Sequence, residues 1–183
     1  MTRSRLLDVC GWGIAAGWVT FVLAGVLGLG KAFGQEKENG CMDGLLLTPL
    51  PRGVLYLAKM ASTTLFLVVM LALLLPLCGL LFQVNLAGIW LPLAGVLAAG
   101  AIGFSALGTL LGGVTSSLRG KEVLLPILLF PLLVPLVLIV VHLTSALLAG
   151  EALSGQSGWL QLLAAFDVIF LIASYLVFEH VVE

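Results

Sequence analysis

Charged side chains are scarce in this chain of 183 residues. Lys, Arg, Asp and Glu together make up 9% of it, whereas 61% of the residues are hydrophobic and the mean hydropathy is +1.23. Soluble domains carry about 25% charged residues, so this composition excludes an ordinary soluble globular protein. The net charge of −1 gives no electrostatic reason to expect a nucleic-acid partner.

Cysteine is rare as well, and long polar segments are missing. Cys10, Cys41 and Cys78 form no CxxC pair and no metal-ligand spacing, so neither a disulfide framework nor a metal site is predicted. No loop between apolar runs is long enough to fold as a catalytic domain. We therefore expect a protein that is not itself an enzyme and has no resident cofactor.

Long runs without charge are what the chain does have. They are Val9–Gly30 with 22 residues, Met60–Leu118 with 59, Val123–Gly150 with 28, and Ala152–Phe178, which only Asp167 interrupts. A transmembrane helix needs about 20 apolar residues, and Gln83 and Asn85 divide the longest run into a hairpin. The sequence predicts an all-α, polytopic membrane bundle, a single domain over residues 1–183, with spans near 11–30, 60–82, 89–116, 123–148 and 159–178.

Lys and Arg alternate between the loops in a way that predicts orientation. Loops 31–59 and 117–122 contain Lys or Arg, whereas loops 83–88 and 149–158 contain none. Short loops rich in Lys and Arg stay in the cytoplasm, which also puts the C-terminus there. The spans that start outside then begin near tryptophans, as an interfacial aromatic belt requires; these are Trp12, Trp90 and Trp159.

The N-terminus does not fit this topology. Arg3 and Arg5 would lie outside. A signal peptide is a rival explanation, but the apolar run is long and lacks an A-x-A-like cleavage site. We expect that one N-terminal span is missing from the sequence.

Glycine spacing offers a false motif and a packing signal. Gly25–Lys31 fits G-x-x-x-x-G-K, but Ala32 follows where a phosphate-binding loop needs Ser or Thr, and the glycines lie in a predicted span. Small residues four apart let helices approach closely. We expect this role for Gly13-xxx-Gly17 and Gly108-xxx-Gly112.

One polar segment, Gly34–Lys59, contains three basic and three acidic side chains between the apolar runs. Asn39 can cap a helix, and Met42, Leu45 and Leu46 then share one face. Pro49 forces Thr48 out of helical geometry, and Pro51 delays the next helix. The pattern predicts a short cytoplasmic helix near residues 39–47.

Two roles are open for this short helix. It can lie on lipid as an interfacial amphipathic helix. However, such helices favour Lys and Arg on their polar face, whereas Glu36, Glu38 and Asp43 flank this one. An apolar knob with an acidic flank suits a socket on another protein better.

The same residues resemble the cytoplasmic segment of the heme exporter protein B (CcmB-type) family, membrane subunits of an ATP-driven transporter used in cytochrome c maturation. The family's pattern of an acidic residue, Gly, a Leu triplet, Ser/Thr-Pro-Leu-Pro and Ala-Lys is matched by Glu36 or Glu38, Gly40, Leu45–Leu47, Thr48–Pro51 and Ala58-Lys59. Gly120–Ile139, with its prolines, resembles the family's fifth span. The likeness covers the chain from about Gly11, and the family's first span has no counterpart here.

The resemblance implies that residues 39–47 are a coupling helix that inserts into a separate cytoplasmic ABC ATPase, which binds the ATP. The residues implied in this contact are Glu38, Gly40, Met42, Asp43, Leu45, Leu46, Thr48, Pro49 and Pro51. It also implies haem as a possible substrate, a haem-handling membrane partner, the bacterial inner membrane as location, and a second permease copy to match the two-fold ATPase pair.

Polar residues within the predicted spans are further candidates. Asp167 lies near the middle of the last span, on a face shared with Ser174, and a carboxyl there normally faces protein or water. We favour a structural strut over a place on the transport path. His142, near the outer end of its span, is a candidate haem ligand, although a lone histidine without a paired ligand is a weak signal. Pro126, Pro131 and Pro135 are expected to kink the fourth span.

The resulting hypothesis is a permease subunit of a haem-exporter-type ABC transporter in c-type cytochrome biogenesis. Two alternatives remain open from the sequence: an ABC-2-type permease for a lipid, drug or glycan, and a non-transporting membrane scaffold for a haem-handling complex.

Overall fold

The computed structural model describes residues 17–31, 52–82, 88–116 and 121–181. Five α-helices occupy these ranges: α1 (Gly17–Lys31), α2 (Arg52–Phe82), α3 (Trp90–Ser116), α4 (Lys121–Leu148) and α5 (Ser157–Val181). A short 3₁₀ turn, Leu153–Gln156, joins α4 to α5. Throughout these ranges the backbone is helix or turn without any β-strand, so the prediction of an all-helical protein is confirmed there.

Four of the helices are long and apolar enough to cross a membrane. Their apolar stretches are Gly53–Pro76, Trp90–Thr115, Leu124–Leu148 and Leu153–Val177, which correspond to the predicted second to fifth spans. α1 is apolar but shorter over its described residues. The first span near residues 11–30, and with it the count of five, therefore stays a prediction. The helix predicted at residues 39–47 lies outside the described residues.

α2 begins earlier than the charge pattern suggests. The charge-free run predicts a span near residues 60–82, but the helix already starts at Arg52. The charge-free run begins only after Lys59, so it predicts a later start for the helix. Backbone hydrogen bonds of a helix form whether or not the side chains are charged, and the helix can therefore begin before Lys59. The first two turns of α2 therefore belong to the bundle, and Tyr56 in the second turn is completely buried.

α3 is the central helix of the described bundle. It packs against α2, α4 and α5. Of its most apolar stretch, 67% is buried inside the bundle, whereas the figure for the last apolar stretch, Leu153–Val177, is 11%. Small residues make up much of its buried surface; these are Gly100, Ala101, Gly103, Ser105, Ala106, Gly108, Thr109 and Gly112. Because lipid is as apolar as a leucine side chain, close backbone approach at small residues is what favours contact between helices in a membrane.

α1 packs on the same helix through interlocking glycines and large side chains. A Cβ atom on Gly25 would lie 2.8 Å from the Phe104 ring, and a Cβ on Gly108 would lie 2.5 Å from Leu29 Cδ1. The predicted packing role is thus confirmed for Gly108. It is not seen for Gly17, where a Cβ atom would have no neighbour within 4 Å among the described residues, and Gly13 lies outside them.

The prolines of α4 do not interrupt it. The helix continues through Pro126, Pro131 and Pro135, and the last two are exposed on the side away from the core. The opposite face supplies leucines to the main hydrophobic core, namely Leu125, Leu129, Leu133, Leu136, Leu143 and Leu147. Because the rings of Pro131 and Pro135 face outward, they do not disturb the packing of these leucines.

Candidate functional site

All nine residues of the predicted ATPase contact lie outside the part of the chain that the structure describes. These are Glu38, Gly40, Met42, Asp43, Leu45, Leu46, Thr48, Pro49 and Pro51. The three polar residues predicted within spans are described, and they lie in three different environments. Ser174 of α5 lies beside the start of α2, Asp167 faces the middle of α3, and His142 lies at the turn between α4 and α5.

The start of α2 is fixed to the two neighbouring helices at what we call the α2 joint, formed by Gly53, Tyr56, Ala106, Ser174 and Tyr175. The Tyr56 side chain is fully buried, and its hydroxyl donates a hydrogen bond of 3.2 Å to the backbone carbonyl of Ala106 in α3. The buried Ser174 hydroxyl of α5 lies beside this phenol, although its oxygen has no hydrogen-bond partner of good geometry among the described residues.

The same turn of α2 also contacts α5 directly. The ring of Tyr175 covers Gly53 so closely that a Cβ atom there would lie 2.5 Å from Cε2 and 2.6 Å from the hydroxyl oxygen. Glycine at this position therefore allows the two helices to touch. The chain contains two tyrosines, and both lie in the α2 joint.

The charge pattern of the sequence does not reveal this joint. Tyr56 precedes the charge-free run that predicts the second span, so that pattern places it in a loop. The available signal is the pair of tyrosines at the cytoplasmic ends predicted for two different spans. A second hydrogen bond between α2 and α3 lies further along α2, where the Thr64 and Ser105 hydroxyl oxygens are 2.5 Å apart.

Asp167 faces α3 rather than open lipid. Its Oδ1 atom lies where the side chain of Gly103 would begin, and Leu136 of α4 also lies close to that position. The oxygen is buried and has no hydrogen-bond partner among the described residues. The missing side chain at Gly103 thus makes room for a carboxyl group between α3 and α5, as expected for a group that contacts protein.

His142 belongs to a hydrogen-bonded cluster that we call the His142 cluster, together with Glu151, Gln156 and Trp159. The imidazole Nε2 atom is 3.3 Å from Gln156 Oε1, and Gln156 Nε2 donates a 2.7 Å hydrogen bond to Glu151 Oε2. The imidazole lies against the Trp159 indole, with ring centroids 4.3 Å apart and planes inclined by 31°. The His142 side chain is exposed, so the cluster lies at the surface of the bundle.

The turn after α4 places these side chains together. Gly150 has φ = +85°, a conformation that favours glycine. Its N–H donates to Leu147 O, and the N–H of Glu151 donates to Ala146 O, which is the hydrogen-bond pattern of a Schellman C-cap. The cap ends α4 sharply and turns the chain back, so that Gln156 and Trp159 lie beside His142.

Clusters of metal-ligating side chains are missing from the described ranges. Across them, no group of three or more His, Cys, Asp or Glu side chains is placed to hold a metal ion. The site residues that the structure does describe are two polar side chains between helices, Ser174 and Asp167, and one imidazole cluster at a turn.

Comparison with known proteins gives a consistent result. The family model described as "CcmB protein" matches residues 5–183. Heme exporter protein B of Pseudomonas aeruginosa is 32% identical over 163 residues, covering 89% of this chain and 72% of that protein. Heme exporter protein B of Haemophilus influenzae is 31% identical over 134 residues, covering 73% of this chain and 59% of that protein.

No solved structure matches the chain. The family match extends over nearly all of the sequence and includes every described helix. It also agrees with the long apolar helices that the structure describes. This chain belongs to the CcmB protein family.

Proposed function

We propose that this chain is the membrane permease subunit of a haem-exporter-type ABC transporter that acts in c-type cytochrome biogenesis. Its relatives are named heme exporter protein B, and its described helices are those of a multi-pass membrane protein. Family membership favours haem over a lipid, drug or glycan as the substrate class, and a transporter component over a passive scaffold. ATP hydrolysis belongs to a separate subunit.

The α2 joint is the observation that carries the mechanism. α2 begins directly after the polar segment's predicted coupling helix, and its first two turns are held by α3 and α5 through Tyr56 and Gly53. Because this end of α2 is packed closely against α3 and α5, it cannot shift without moving them. Packed interfaces change from one discrete arrangement to another and do not deform continuously. We infer that movement of the ATPase passes through this joint into the bundle.

The coupling helix, residues 39–47, is the proposed ATPase contact. Met42, Leu45 and Leu46 fill an apolar socket on the ATPase, and Glu38 and Asp43 lie at its rim. Asn39 caps this helix next to Gly40, and the Thr48–Pro51 stretch ends it. In this arrangement residues 31–59 and the C-terminus are cytoplasmic, the membrane is the bacterial inner membrane, and a second permease copy matches the two-fold ATPase pair.

Co-purification of the ATPase with point variants tests this proposal. Removing one buried apolar anchor costs about 2–4 kcal/mol at a hot spot, which is roughly 30- to 1,000-fold in affinity. We expect Leu45→Asp to abolish ATPase recruitment at unchanged membrane levels. Charge reversal at Glu38 should have a smaller, salt-dependent effect, as is typical of rim positions.

Leu47→Asp is the matched control. It introduces the same charge two residues away, on the opposite side of a helix from Met42 and Leu45, and should keep the ATPase. If Leu45→Asp retains the ATPase, or if both variants lose it equally, the coupling-helix assignment is wrong. The segment would then lie on the lipid surface.

A further inference from the structure

The His142 cluster determines which imidazole nitrogen carries a proton. The Glu151 carboxylate can only accept a hydrogen bond, so the Gln156 amide must turn its NH₂ group toward Glu151. Gln156 Oε1, which can only accept, is then the atom that faces His142. The imidazole Nε2 therefore donates, and the neutral ring has its lone pair on Nδ1.

This arrangement is the one that a metal-ligating histidine requires. Such histidines usually donate the N–H of the other ring nitrogen to a fixed acceptor, which sets the tautomer and the ring orientation. Here Gln156 is the acceptor, Glu151 holds Gln156, and the Trp159 indole restricts rotation of the imidazole. Nδ1 has no hydrogen-bond partner among the described residues, and the side chain is exposed.

The surroundings favour a porphyrin over a bare metal ion. A divalent ion needs several protein ligands, and the described residues offer no group of three. Haem iron already has four in-plane ligands and can be held by a single axial histidine. Exposed apolar side chains lie one turn away on each helix, Leu138 before His142 in α4 and Leu162 after Trp159 in α5, and these can contact the porphyrin.

We propose that His142 Nδ1 is an axial ligand for haem at the turn between α4 and α5, with Gln156 and Glu151 setting its tautomer. The inference rests on the proposed function, because the charge pattern makes this turn the outer end of the transporter, where exported haem arrives. Trp159, Leu138 and Leu162 contact the macrocycle and hold it beside the imidazole.

Titration of the purified chain in detergent with ferric haem tests the site. The chain has two histidines, so His180→Ala is a matched control for His142→Ala. Wild type and His180→Ala should show the same saturable shift of the Soret band, and His142→Ala should lose it. Gln156→Leu should weaken binding by about 10-fold, as loss of an orienting partner usually does. Added imidazole should restore the ligand-field spectrum of His142→Gly.

Two results would overturn the site. One is equal haem binding by His142→Ala and wild type, which would mean that haem only partitions into the micelle. The other is an equal loss in the two alanine variants. Thermal unfolding of each variant separates loss of the ligand from loss of the fold, and imidazole rescue requires a folded protein. ATPase co-purification is measured on the same samples, so a failure of the haem site is distinct from a failure of the coupling proposal.

Discussion

Tyr56→Phe is the most informative substitution at the α2 joint. It removes one oxygen atom and keeps the buried ring, so the helix packing is unchanged. The lost contacts are the 3.2 Å hydrogen bond from the phenol to Ala106 O and the contact of that phenol with the Ser174 hydroxyl. The Ala106 carbonyl lies inside α3 and retains its intrahelical partner, so the substitution does not leave it unsatisfied.

The size of the effect follows from this geometry. A neutral hydrogen bond contributes about 0.5–1.5 kcal/mol net, and side-chain bonds between membrane helices average about 0.6 kcal/mol. At about 1.4 kcal/mol for each factor of ten, a bond present in only one of the two transport states shifts their equilibrium by roughly 3- to 10-fold, and we expect formation of c-type cytochromes to fall by up to that factor. Recruitment of the ATPase should not change, because Tyr56 lies behind the proposed docking surface.

The assay compares haem-stained c-type cytochromes, co-purified ATPase and ATP hydrolysis in membranes with matched levels of each variant. Thr64→Val is the matched control, because it also removes a hydroxyl contact between α2 and α3 but lies about two turns deeper. Wild-type cytochrome levels in Tyr56→Phe would refute the role of the joint. An equal fall in both variants would mean that polar contacts along α2 act only through stability.

Three further substitutions test the described contacts. Asp167→Asn should keep most activity because the amide fits the same space beside Gly103, whereas Asp167→Leu should lower the yield of folded protein. Complete loss of transport in both variants, with normal yield, would instead favour a proton or substrate role for Asp167. Gly108→Ala should destabilise the bundle by about 1–3 kcal/mol through its clash with Leu29. In a double-mutant cycle of thermal unfolding, Leu29→Ala should restore part of the lost stability, and strictly additive effects would contradict the contact. Thr109→Val should leave stability equal or raise it by about 1 kcal/mol, since the buried hydroxyl has no hydrogen-bond partner among the described residues; a fall in transport without a change in melting temperature would reveal a functional hydroxyl.

Local features of the sequence determined the class of this protein. The charge-free runs predicted five spans, and four of these are the long apolar helices of the structure, since insertion into lipid depends on the summed hydropathy of about 20 consecutive residues. The motif around Gly40 and Thr48–Pro51 pointed to the family that the comparisons show. Gly108 was also identified correctly, because small residues four apart mark close helix packing in any membrane bundle.

Only the tertiary structure decided which side chains meet. Tyr56 contacts Ala106 from 50 residues away, Asp167 faces Gly103, and His142 reaches Gln156 across a turn. In a soluble helix an apolar stripe reveals the buried face, whereas membrane helices are apolar on both the lipid and the protein side. Rotation of each helix about its axis is then set by the close fit of small and large side chains between helices, and that fit is a property of the assembled bundle.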